Sequence, residues 1–89
     1  MDTKAKPNGF QQITSLSAST ALTVPAGSIF CVFMCEAQAV RWRDDGTAPT
    51  AAIGILLPVN TPYEYWGDLA AIRFFEAAAS AKLNVSYYK

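Results

Sequence analysis

Val40-Arg41-Trp42-Arg43-Asp44-Asp45-Gly46-Thr47-Ala48-Pro49-Thr50, followed by an apolar run over residues 51–57, is the stretch from which the rest of the chain can be read. Val40 and Trp42 alternate with Arg41 and Arg43, the period of two that sends successive side chains to opposite faces of a strand. Asp-Gly follows directly, and Gly46 can take the positive φ of a tight reversal without a Cβ clash. The segment therefore reads as a strand, a turn and a return strand, with Ile53, Ile55 and Leu57 on one face of the return. If Val40 and Trp42 face the core, both arginines point outward.

Upstream, residues 28–43 run longer than a typical strand and change character midway. Phe30, Val32 and Met34 share a face with Glu36 and Gln38, so a bulge or break is expected near residues 36–38. Residues 10–16 form a first strand, and 21–24 a short second one closed by Pro25-Ala26-Gly27. Downstream, Pro58 ends the return strand. Residues 63–66 make a short aromatic strand, 69–75 another, and 82–88 the last, with Leu83, Val85 and Tyr87 facing inward. Alanines crowd residues 69–83 and would suit a helix capped by Asp68, but Ile72, Phe74 and Phe75 favour strand, turn, strand. About seven short strands punctuated by turn residues make an all-β antiparallel sandwich or compressed jelly roll. The domain spans residues 10–89, after a flexible arm over residues 1–9 that Pro7, Asn8 and Gly9 keep irregular.

A chain of 89 residues allows one small domain, and its 52% apolar content argues against disorder. Seven basic residues balance seven acidic ones, leaving no field to attract a polyanion, so nucleic acid is disfavoured as a partner. High apolar content at zero net charge suits a chain that hides surface against its own copies or a neighbour, and equally a well-packed monomer. The small size without metal or disulfide staples favours assembly. No stretch is long and apolar enough to span a bilayer as a helix, and residues 1–9 lack the apolar core of a secretory signal.

Histidine is absent, removing the commonest general base near neutral pH and the commonest metal ligand. Glu36, Glu64, Asp68 and Glu76 are conceivable acids, yet no spacing singles one out, and no Gly-x-Ser-x-Gly elbow occurs. No enzyme, no metal and no cofactor is expected. Asp44 and Asp45 point opposite ways in an extended chain and lack the spaced oxygens of a calcium loop, so they read as turn formers. Arg41 and Arg43 either grip a neighbouring subunit's carboxylates or remain a solvated pair protecting an edge strand. Tyr63, Tyr65 and Trp66 beside Glu64 and Asp68 have two readings: core packing, or a platform for a sugar ring. Cys31 and Cys35 lie four apart in a strand, roughly 13 Å at about 3.3 Å per residue, beyond disulfide reach. They read as two small buried hydrophobes, with a reactive thiol or intersubunit bridge as the lesser alternative.

The Ala-Val-Arg-Trp-Arg-Asp-Asp-Gly-Thr-Ala-Pro-Thr block resembles small structural proteins of tailed bacteriophages. The likeness extends to Phe10-Gln11-Gln12-Ile13, to Leu22-Thr23-Val24-Pro25-Ala26-Gly27, to Gly67-Asp68-Leu69-Ala70-Ala71-Ile72-Arg73-Phe74 and to the closing Ala81-Lys82-Leu83-Asn84-Val85-Ser86-Tyr87-Tyr88. What the resemblance implies is a non-enzymatic virion component assembled in the host bacterial cytoplasm: a head decoration or cement protein, or a tail or neck accessory. Its implied partners are its own copies, a trimer among the options, and the major capsid protein or tail and neck proteins, with neither nucleic acid nor membrane. Arg41, Arg43, Asp44 and Asp45 would lie at the interface. The alternative is a carbohydrate- or receptor-binding module using Tyr63, Tyr65 and Trp66.

Overall fold

Eight strands follow one another in the computed structural model, which describes residues 4–89. In chain order they are β1 (Pro7–Ile13), β2 (Thr20–Ala21), β3 (Phe30–Glu36), β4 (Val40–Arg43), β5 (Ile55–Leu57), β6 (Tyr63–Tyr65), β7 (Arg73–Glu76) and β8 (Lys82–Tyr88). They form two four-stranded sheets, ordered β1-β8-β3-β6 and β2-β7-β4-β5, and every strand pairing is antiparallel. The pairings β1 with β8, β2 with β7, β3 with β6 and β4 with β5 describe one long hairpin wound upon itself. That is the strand order of a jelly roll, and it bears out the all-β sandwich expected from the turn spacing. No residue among those described is helical.

Alternation builds the core. Cys31, Phe33 and Cys35 of β3 and Leu83, Val85 and Tyr87 of β8 point inward from one sheet. Val40 and Trp42 of β4 and Phe74 of β7 meet them from the other. Phe33 is the hub, edge-on to Trp42 at 6.0 Å and to Phe74 at 5.2 Å. On the β1/β2 side Leu16 is buried and Leu22 and Val24 pack against the core. There the Gln11 side-chain oxygen accepts from the Tyr87 hydroxyl at 2.7 Å and from the Thr23 amide at 3.1 Å.

The expected break falls at residues 37–39, where Ala37 takes φ 72° and the Gln38 amide donates to the Glu36 carbonyl at 2.9 Å. Residues 82–88 form β8 as expected. Other boundaries differ. The first strand starts at Pro7, not Phe10, so residues 7–9 are not part of an arm. The Lys6 amide donates to the Lys89 carbonyl at 2.8 Å, and the Asn8 side-chain amide donates to Ser28 Oγ at 2.8 Å. The beginning of the expected arm, residues 1–3, lies outside the described residues. Asp68 does cap, but only a single turn: its Oδ1 accepts from the Ala70 amide at 2.9 Å and its carbonyl from the Ala71 and Ile72 amides, both at 3.1 Å. The strand that follows therefore begins at Arg73.

The return strand shrinks to three residues because Thr50 organises a loop of its own. Its Oγ1 accepts from the Ala52 and Ile53 amides at 3.2 and 3.0 Å, and its amide donates to the Ile53 carbonyl at 2.9 Å. Of Ile53, Ile55 and Leu57, only Leu57 is buried.

Candidate functional site

The charged cluster of the decisive hairpin is held within the chain. Arg41 reaches across its turn, its Nε donating to the Ala51 carbonyl at 3.1 Å and its Nη1 to the Gly54 carbonyl at 3.0 Å. Gly54 sits there at φ 141°, and a Cβ on it would stand 3.2 Å from the Trp42 carbonyl oxygen. Arg43 grips both Asp45 oxygens with its fork, at 3.0 and 2.5 Å. That contact holds the Asp45 carboxyl below its ordinary range and raises the Arg43 guanidinium. Asp44 Oδ2 accepts the Tyr65 hydroxyl at 2.5 Å. Burial first, and then this carboxylate, pushes the Tyr65 hydroxyl up. Gly46 has the positive φ expected of the turn, 88°. The two arginines thus project outward as expected, but each is already engaged in shaping its own loop.

Between that turn and the segment leading into β5 lies a cleft of about 400 Å³, lined by Trp42, Arg43, Asp44, Asp45 and residues 53–55. Its lining residue Ile55 lies on β5, which ends one sheet as β6 ends the other. Tyr63 and Tyr65 of β6 pack on Trp42 at 5.7 and 5.6 Å, while Ile55 of β5 sits opposite Trp42 in the ladder. Ile55 and Tyr63 hold inward-facing positions, opposite Trp42 and Phe33, and are nonetheless 56% and 44% exposed. Ile53, which lines the same cleft as Ile55, is 58% exposed, and Leu56, opposite Arg41 on the outer face, is 47% exposed. The core is therefore open along a seam between β5 and β6, whereas Leu16, Leu22 and Val24 cover the opposite side.

The aromatic segment divides instead of forming one platform. Tyr65 is buried and Tyr63 turns inward onto Phe33 at 5.3 Å, while Trp66 turns to the outer face of its sheet. There Trp66 stacks on Phe30 at 4.0 Å, and Phe30 on Tyr88 at 5.0 Å, nearly parallel in both cases. Phe30 is buried by this outer stack and not by the core cluster. Gly67 is required by space, because a Cβ there would collide with the Tyr65 hydroxyl. Of the three residues offered for a sugar, Tyr65 is buried, and the exposed Tyr63 and Trp66 lie on opposite faces of their sheet.

Cys31 and Cys35 are fully buried and unpaired, as two small hydrophobes. Burial raises the Cys31 thiol to about 11 and pushes Cys35 up as well, so neither has the thiolate character of a reactive cysteine. Among the described residues no three His, Cys, Asp or Glu side chains gather to hold a metal, and no helix is long and apolar enough to cross a membrane. The chain matches no family model, no curated protein and no solved structure.

Proposed function

We propose that this chain is a non-enzymatic structural protein of a tailed-phage virion, acting as a head decoration or cement protein or as a tail or neck accessory. Its work is contact: with further copies of itself, and with a major capsid, tail or neck protein. The observation that carries this reading is the open seam, where Ile55 and Tyr63 occupy core positions yet face solvent. A clustered apolar surface with a charged rim is what protein–protein contacts use. The jelly roll hosts viral capsid domains and lectin domains alike, so fold alone does not choose between them. The sugar-binding alternative finds Trp66 and Tyr63 exposed on opposite faces of their sheet with Tyr65 buried, whereas the contact reading draws on Ile53, Ile55 and Tyr63 along one seam.

The test is to purify phage particles made with and without this chain, quantify the protein in them by mass spectrometry, and image them by negative stain. Many copies per particle, with a visible loss of density or of particle stability on deletion, are expected. Absence of the protein from purified particles would overturn the reading.

A further inference from the structure

We infer that the seam between β5 and β6 is closed by the same seam of a second copy, related by a two-fold axis. This deepens the reading of the chain as an assembly module and rests on it. Three features of the seam point to a copy of the chain itself.

Area is the first. Ile53, Ile55 and Tyr63 are each about half exposed. With ~150–250 Å² for a fully exposed large side chain, they present roughly 300 Å² of apolar surface. A standard interface takes about 800 Å² from each partner, about two thirds of it apolar when the partners are identical. The seam thus supplies about half of the apolar share that one side of such a dimer needs.

Charge is the second. The rim carries two guanidiniums, Arg41 and Arg43, and two carboxylates, Asp44 and Asp45. A strongly basic or acidic partner would leave one sign unmatched against the apolar patch. Arg43 is already paired with Asp45 and Asp44 with the Tyr65 hydroxyl, so the rim is neutral in itself and can meet a copy of the same rim without like-charge repulsion.

The third is the sheet edge. β5 is the last strand of its sheet, so the main-chain groups on its far side meet no strand. Rotation about a two-fold axis brings β5 alongside β5 in antiparallel sense, the arrangement in which two such edges satisfy one another. Ile55 then gains a covering layer over Trp42, completing the core from outside.

Sedimentation equilibrium on the full chain, from micromolar to millimolar concentration, decides the matter. The expected result is a reversible monomer–dimer equilibrium whose dissociation constant rises about tenfold or more in Ile55→Lys and in Ile53→Glu. Both variants are checked for native near-ultraviolet circular dichroism; should Ile55→Lys unfold, Ile53→Glu decides, since Ile53 lies outside the strands. Trp66→Ala, on the outer face, is expected to leave the dimer unchanged. A monomer at every concentration, a trimer or larger ring, a dimer indifferent to both isoleucine variants, or one abolished by Trp66→Ala would each overturn the inference. None of these outcomes bears on whether the protein is found in particles, so the seam and the wider reading fail separately.

Discussion

Cys31 illustrates what burial does to a single side chain in this sandwich. It is fully enclosed between the sheets, and removal from water raises its thiol from the ordinary value near 9 to about 11. The sign of the consequence follows from proton binding. Below pH 9 the thiol is protonated in both folded and unfolded chains, and its contribution to stability is complete. As the pH climbs from 9 to about 11 the unfolded chain gives up its proton first, so the native state loses ground across that window. Urea midpoints are therefore expected to fall on going from below pH 9 to about pH 11, and to fall less in Cys31→Ala. An identical pH dependence in that variant would contradict the assignment. At neutral pH neither thiol is expected to react with a disulfide reagent until denaturant is added. The sequence already carried this reading, since two cysteines four apart in a strand cannot bond to each other but can fill the same inner face.

At the scale of an element, the decisive hairpin owes its shape to Arg41 together with Thr50. The alternation Val40, Arg41, Trp42, Arg43 fixed which side chains turn inward, and that part was legible from the residues alone. What the alternation could not convey is that the outward Arg41 would reach two carbonyls beyond the turn, at Ala51 and Gly54, and hold residues 51–54 out of the sheet. By its spacing Ile53 belongs on one face of the return strand, but it lies outside that strand and is exposed. Arg41→Met keeps the aliphatic stem and removes both hydrogen bonds. With charged donors on partly exposed carbonyls, a loss of about 1–2 kcal/mol is expected, read from the shift in urea midpoint at constant slope. Amide exchange should quicken in residues 51–54 and stay slow in the β4–β7 ladder; unchanged exchange in the loop would contradict the role given to Arg41. The aromatic segment teaches a different lesson. Strict period two separates Trp66 from Tyr63 and Tyr65, and grouping the three as one patch followed their proximity in sequence over the direction of their side chains. Strands β1 and β2 were misplaced for a third reason: β1 is fixed by pairing with β8, some seventy residues away, and no local pattern marks where that pairing begins.

For the whole molecule, the accessible surface is 5079 Å², close to the ~5,100 Å² expected of a folded monomer of this mass. The subunit is thus as compact as chains that fold alone, and association through the seam is expected to be reversible and not a condition of folding. Its strand order joins the first strand to the last and sets β8 between β1 and β3, so the sandwich is complete only when both ends of the chain are in place. Such long-range pairing folds slowly compared with local structure. What remains incomplete is one side, where β5 and β6 leave core positions uncovered. Hydroxyl-radical footprinting of the full chain, dilute and concentrated, reads that side residue by residue. Ile55 and Tyr63 are expected to lose labelling as concentration rises while Trp66 keeps its own; equal labelling of Ile55 and Tyr63 at every concentration, or protection of Trp66 in their place, would contradict a core finished by a second copy.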